Sequence, residues 1–365
     1  MRTGRMGTVG VRRKRHSICC LCCFLCGMLL FSLTGCGKSE AQTKVVLTTG
    51  FNKDEIFRIE TMSCTLPEAM VYLTNTQDQY ESVYGEEIWK TNLNGVTLEE
   101  SVKDTVLAEL AQIKTMNLLA RQQGVVLDES EQKLAKEAAR KYYGSLNQTE
   151  REEMQVTEEI IENLYAEFAL AGKVYEYIIK DIYPEISDDE ARTITILDIL
   201  IKTCTIDGTG RRVAYDDNAK EDALERAEEI RRLAMAKDSD FEQLVFQYSE
   251  GEKGTFSFGK GETEKAFEDA AFNLGNGEIS GIVETEEGYH IIKCISTFNR
   301  EETDANKIKI VEQRREEVFG EEYDAFVESL TRTLNEELWD TVTFIKNEEV
   351  TTRDFFDIYN EYFGL

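Results

Sequence analysis

The hydrophobic period changes near residue 190, and that change commits the chain to more than one domain. Up to about residue 183, apolar residues recur at helical spacing. Val102, Val106, Leu110 and Ile113 form one stripe, and Ile160, Leu164, Phe168, Ala171, Tyr175 and Ile178 form another. Spacings of three and four put such residues on one helix face, so each stripe predicts an amphipathic helix packed against a neighbour. Thr65-Leu66-Pro67-Glu68 and Thr97-Leu98-Glu99-Glu100 each set a hydroxyl residue three before a glutamate. That spacing satisfies the free amides of a helix start. Pro184 and residues 187–190 predict a break and a short new helix. Beyond it, residues 193–202 are β-rich, 221–236 and 241–248 are helical, 251–261 are rich in glycine and phenylalanine, and 288–296 form a closing strand. Strands alternating with helices over about 105 residues predict a compact α+β module. Residues 301–337 read as helix again.

The first 35 residues carry Arg2, Arg5, Arg12, Arg13, Lys14 and Arg15, then an uncharged apolar run over 18–31. That pattern predicts an export signal. The run, about 14 residues, is shorter than the roughly 20 that span a membrane. Leu33-Thr34-Gly35-Cys36 follows, and it resembles the lipobox of bacterial lipoproteins. The resemblance implies a lipid on Cys36 and a mature chain held at the extracytoplasmic face of the cell membrane. Residues 36–54 read as a polar tether.

Five of the nine cysteines lie in the signal and Cys36 takes the lipid, so Cys64, Cys204 and Cys294 remain, with no CxxC pair. Neither a disulfide framework nor a zinc site is predicted. His16 falls in the signal, leaving His290 alone in the mature chain, so a histidine pair or histidine-based metal site is excluded, and no metal or cofactor is expected. The formal charge of −28 becomes −34 once the six cations of the first 35 residues are removed. Nucleic acid is not expected as a partner on that balance. Basic unfolded polypeptide is a compatible one.

One internal echo bears on domain order. Ile59-Glu60 ahead of Cys64–Thr65 and Glu68 parallels Ile345-Lys346 ahead of Val350-Thr351 and Asp354. Both read as strand, turn and capped helix, which predicts that 56–60 and 342–346 lie paired in one domain. The expected division is a signal over 1–35, a tether over 36–54, a helical domain over 55–189, an α+β module over 190–297, and a C-terminal helical segment over 298–365 that packs back on the helical domain.

Three stretches of the middle module carry a resemblance. They are Asp240-Phe241-Glu242-Gln243-Leu244 with Tyr248-Ser249; Phe258-Gly259-Lys260-Gly261 with 266–272; and Gly277-Glu278-Ile279-Ser280 with Gly288-Tyr289-His290-Ile291-Ile292-Lys293. Together they resemble the parvulin family of peptidyl-prolyl isomerases. The order of lipobox, helical region, parvulin and helical tail is similar to the exported foldases PrsA and SurA. This implies a multidomain α and α+β fold: a helical SurA/PrsA-like chaperone domain built from both chain ends, with a central FKBP-like α+β parvulin domain. The implied activity is cis–trans isomerisation of Xaa-Pro bonds in unfolded or newly exported polypeptides, without cofactor.

The family's pocket phenylalanine matches Phe267, its last-strand histidine His290, and a supporting threonine Thr285. Phe256 and Phe258 are candidates for further apolar wall. Three departures stand out: Asp198 replaces the first-strand histidine, Thr263 the pocket methionine, and Gly251 a Cys or Asp. Asp198 and His290 are the expected catalytic pair. A carboxylate within about 4–6 Å favours the imidazolium and raises its pKa. The family register puts Asp198 directly opposite His290, which sets Cys204 far from Cys294 along the sheet and predicts no bond between them. Two other readings stay open. One is a non-enzymatic holdase that keeps the parvulin fold as a binding module; the other is a surface lipoprotein with a structural role.

Overall fold

In the computed structural model the described residues are 50–93, 95–208 and 210–364. The export signal, Cys36 and most of the tether lie outside them. The chain divides into two units, one formed by residues up to Asp181 together with Phe319–Leu365, the other by Ile182–Val318. No helix among the described residues is long and apolar enough to cross a membrane.

The first unit draws on both ends of the chain. Strands β1 (Glu55–Ile59) and β2 (Met62–Thr65) form an antiparallel hairpin that leads into helix α1 (Leu66–Tyr84). The Glu68 carboxylate accepts from the Thr65 amide at 2.6 Å and from its hydroxyl at 2.8 Å, so the helix starts where its capping pattern puts it. A short pair, β3 (Asn92–Leu93) and β4 (Val96–Thr97), precedes α2 (Leu98–Gln123), which Thr97 and Glu100 cap reciprocally. Helices α3 (Glu129–Ser145), α4 (Gln148–Glu153) and α5 (Glu158–Ile179) complete the N-terminal part. Leu164, Phe168 and Ala171 of the second stripe are buried, as are Val106, Leu110 and Ile113 of the first.

Lys114 of α2 is buried between α1 and α5. Its ammonium donates to Glu68 Oε1 at 2.6 Å and Glu167 Oε2 at 2.7 Å. The last helix, α11 (Phe355–Phe363), closes the core through aromatic rings. Phe355 stacks on Tyr165 at 4.5 Å, and Tyr359 meets Phe168 edge-on at 4.7 Å. Asn75 Oδ1 accepts the Phe355 amide, and the Tyr165 hydroxyl donates to the Phe355 carbonyl, so this helix start is buried with its polar groups satisfied.

Three sequence expectations change here. The echo segments do share a unit, but β1 pairs with β11 (Arg332–Leu334) rather than with 342–346, with Phe57 opposite Leu334. Residues 342–346 run without strand partners, and Ile345 instead exchanges two hydrogen bonds with the side-chain amide of Gln77. The helix expected through 337 therefore ends at Glu328, with β11 and the short α10 (Glu336–Trp339) after it. Pairing with the open edge of β1 overrides the local helical pattern. The short helix expected at 187–190 is a single turn, in which the Ala191 amide donates to the Ser187 carbonyl.

The second unit is a four-stranded antiparallel sheet in the order β8–β5–β10–β9: β5 (Thr193–Lys202), β8 (Thr255–Gly259), β9 (Val283–Glu284) and β10 (Gly288–Ser296). Alternation along β5 sends Leu197, Ile199 and Ile201 to one face. There α6 (Asp217–Ala234) and α7 (Phe241–Tyr248) cover them with Ala223, Ala227, Ile230, Phe241 and Val245. The other face carries Ile194, Ile196 and Ile292, and is covered by the short α8 (Lys265–Phe272) through Phe267 and Ala271. Eight residues of helix span about 12 Å. The ten-residue strand beneath runs about 33 Å, so part of this face stays open. Hairpin β6 (Cys204–Ile206) and β7 (Arg212–Ala214) stands at the open end.

The unit continues to Val318 rather than stopping at 297. The Thr193 amide donates to Thr303 Oγ1, and Asn306 donates to the Ala191 carbonyl, so the first half of α9 (Arg300–Glu328) closes the end of β5.

Candidate active site

The open half of the sheet is where β5 carries Asp198 and Leu200 and β10 carries His290, all on one face by strand alternation. In the observed register His290 lies opposite Leu200, and Asp198 opposite Ile292. The expected direct opposition is therefore displaced by two residues. An even displacement keeps both side chains on the same face, and they meet diagonally: His290 Nδ1 lies 2.8 Å from Asp198 Oδ2. On the other side of the ring, Nε2 lies 3.0 Å from Thr285 Oγ1. Thr285 Oγ1 also accepts the amides of Glu287 and Gly288 at 3.1 and 3.4 Å, which fixes the hydroxyl in the turn between β9 and β10.

Nδ1–H donates to the carboxylate, while the Thr285 hydroxyl has two neighbours, His290 Nε2 and the Gly288 carbonyl at 3.4 Å. Phe267 meets the imidazole edge-on, with centroids 4.9 Å apart. Asp198 and His290 are only 9 % and 7 % exposed, so the pair sits in a poorly solvated site. Burial pushes the Asp198 carboxyl above the usual carboxylate range, and the hydrogen bond from His290 opposes that rise. Its second oxygen, Oδ1, is buried without a hydrogen-bond partner, as is Thr263 Oγ1.

These side chains line a cavity of about 1000 Å³. Of the residues expected at the site, Asp198, His290, Phe267, Thr285, Phe256 and Thr263 all line it. Phe258 does not: it is 4 % exposed in the core beneath, its ring 5.8 Å from Phe267, and supports the floor from behind. Leu200 and Gly251 form a further piece of wall. A Cβ at Gly251 would stand 3.2 Å from Leu200 Cβ, so a side chain there would crowd the cavity.

The hairpin residues Ile206, Arg212 and Tyr215 complete the mouth and were not among the expected residues. Asp207-Gly208 between short β-prone stretches was the available signal, since that dipeptide favours tight hairpin turns. Arg212 bridges to Glu286 at 2.5 Å and Glu287 at 3.6 Å, tying the hairpin to the loop before β10. Among the described residues no grouping of three or more His, Cys, Asp or Glu side chains is placed to hold a metal ion. Cys64, Cys204 and Cys294 are buried free thiols.

Chemically, the arrangement offers an aromatic recess beside a hydrogen-bonded polar chain with one spare carboxylate oxygen. The Thr285 hydroxyl is engaged by two backbone amides, and the Cys204 thiol on the cavity wall is buried.

Comparison with known proteins gives this geometry a context. The rotamase family, described as the PPIC-type PPIase domain, matches residues 199–296. The foldase protein PrsA of Clostridium acetobutylicum is 24 % identical over 314 residues, covering 78 % of this chain and 86 % of that protein. The peptidyl-prolyl cis-trans isomerase Pin1 of Arabidopsis thaliana is 34 % identical over 101 residues, 24 % of this chain and 83 % of that protein. The peptidyl-prolyl cis-trans isomerase pin1 of Schizosaccharomyces pombe is 42 % identical over 82 residues, 20 % of this chain and 46 % of that protein.

Proposed function

We propose that this chain, which belongs to the PPIC-type (parvulin) family of peptidyl-prolyl cis-trans isomerases, is a lipid-anchored foldase that isomerises Xaa-Pro bonds in unfolded, newly exported polypeptides. One observation carries the reading: the Asp198–His290–Thr285 chain stands edge-on to Phe267 inside a single open cavity.

The reaction has a barrier of about 18–20 kcal/mol because the amide C–N bond is partly double. No bond needs to break. In the twisted state the nitrogen keeps its lone pair and the amide loses charge separation, so an apolar, water-poor recess favours it over the planar form. Phe267 and Phe256 supply that recess for the proline ring. His290, held from both sides, forms a rigid wall, and the carbonyl preceding proline faces the polar chain. Each factor of ten in rate needs about 1.4 kcal/mol of such preference.

The export signal and Cys36 support the extracytoplasmic, membrane-anchored placement. The first unit serves in this reading as a chaperone domain that holds the client while the second works on it.

Exchange spectroscopy on blocked Xaa-Pro tetrapeptides tests the catalytic part. The wild type is expected to accelerate exchange, and Phe267→Ala and His290→Ala to lose tenfold or more, about 1.4 kcal/mol each. A wild type no faster than the uncatalysed peptide, with activity appearing in Asp198→His, sinks the enzymatic reading. It would favour a holdase with a binding-only parvulin module. Labelled palmitate incorporated in a bacterial host by the wild type but not by Cys36→Ser tests the anchor.

A further inference from the structure

The rim of the catalytic cavity is charged unevenly. Five carboxylates line it, Asp198, Glu252, Glu264, Glu286 and Glu287, against two cations, Lys202 and Arg212. Arg212 is engaged by Glu286 and Glu287, which takes it out of play for a ligand. Glu264 accepts the Glu286 amide through Oε2, which fixes its carboxylate at the mouth without neutralising it. Glu252 stands on the loop entering β8. Deeper in, Asp198, one of these five, bonds His290 through Oδ2 and keeps Oδ1 buried. That second oxygen is an acceptor on a side chain about nine-tenths buried, it has no donor in the protein, and its residue faces the cavity. An unsatisfied buried carboxylate oxygen is costly, and a donor brought by the ligand relieves that cost.

The position such a donor would occupy follows from the reaction. With the proline ring against Phe267 and Phe256, the amide being twisted has its carbonyl at the polar end of the cavity. That carbonyl belongs to the residue before proline, so this residue's side chain emerges among Asp198, Glu252 and Glu264. We propose that the site selects Xaa-Pro bonds in which Xaa is lysine or arginine. The inference rests on the isomerase reading given above and names its substrate class. A cation at that position meets the Glu252 and Glu264 carboxylates at a rim where five carboxylates face two cations, whereas an acidic residue meets repulsion there. The −34 charge of the mature sequence adds a long-range field of the same sign.

The test uses the full chain and blocked peptides Ala-Xaa-Pro-Phe with Xaa as Lys, Leu or Glu. Exchange spectroscopy reads turnover, and titration followed by amide shifts reads Kd for the same peptides. At low salt the Lys peptide is expected to exceed the Glu peptide at least about tenfold in kcat/KM and in affinity, with Leu between; the ratio should contract to under about threefold in high salt, where exposed charges are screened. Glu252→Lys should shrink the Lys-to-Glu ratio in both kcat/KM and affinity. Equal handling of Lys and Leu, or a preference for Glu, overturns the proposal and leaves the isomerase reading standing. Peptides that bind with the Lys preference but are not isomerised uphold the selectivity and overturn the catalytic reading. Failure to bind any of the three overturns both.

Discussion

Replacing Lys114 by methionine tests the energetics that hold the first unit together. The ammonium lies 2.6 and 2.7 Å from Glu68 and Glu167; the lysine side chain is 3 % exposed and the two carboxylates 11 % and 19 %. Methionine keeps most of the stem volume but removes the cation from between two acids, which then face each other in a poorly solvated space. Burial already raises the Glu167 carboxyl, and Lys114 opposes that rise; without Lys114 it goes unopposed. Deleting one partner of a buried pair costs about 3–5 kcal/mol. The desolvation of lysine is recovered, so the lower end, about 3 kcal/mol, is expected at pH 8.

The sign with pH follows from linkage. A carboxyl whose folded pKa is raised loses stability as pH climbs past its unfolded value, so the penalty is full above the raised pKa and fades as pH falls through it. Both tryptophans, Trp89 and Trp339, belong to the first unit, so tryptophan fluorescence during urea unfolding reports on that unit. With a slope near 2 kcal/mol per molar urea, the midpoint should drop by about 1.5 M at pH 8 and by less than half of that at pH 4.5. A shift below about 0.5 M at pH 8, or the same shift at both pH values, would refute the argument.

Burial raises the Glu109 carboxyl to about 7. Glu109→Gln should therefore leave stability unchanged near pH 4 and raise it by roughly 2–3 kcal/mol at pH 8, read from the same fluorescence midpoints. Gly288 has φ +156°, and a Cβ there would stand 2.1 Å from the Ile201 carbonyl oxygen, so Gly288→Ala must separate β5 from β10. Loss of more than about 3 kcal/mol from the second unit, seen as lost amide protection in both strands, is the expected result; unchanged protection would contradict it. Thr285→Val removes the hydroxyl facing His290 Nε2, so kcat/KM for prolyl peptides should fall about tenfold, the worth of one hydrogen bond near 1.4 kcal/mol. A wild-type rate in that variant would mean that the histidine needs no support from that side.

Much of the helical unit was legible because its signals are local. The capping pairs Thr65/Glu68 and Thr97/Glu100 act within one turn, and the stripe through Leu164, Phe168 and Ala171 needs only helical periodicity to declare a buried face. That Asp198, His290, Phe267 and Thr285 would share one cavity was legible through residue types at positions matching the parvulin pattern. The misplaced elements share a different character. The strand at Arg332–Leu334 carries no strand pattern of its own and exists because β1 offers an unpaired edge. Ile345 looked like a strand because it is apolar, yet its backbone groups are satisfied by one glutamine from α1.

What the sequence determined by itself, then, was the division into a helical part and an α+β part and the chemistry available to the site, since periodicity, capping and residue identity are properties of neighbours along the chain. The tertiary structure decided the rest. It set the two-residue displacement that joins Asp198 to His290 diagonally, moved Phe258 out of the cavity into the core, and brought hairpin residues to the rim. Those outcomes turn on strand register and on how far an eight-residue helix covers a longer strand, and both are settled by packing between segments distant in sequence.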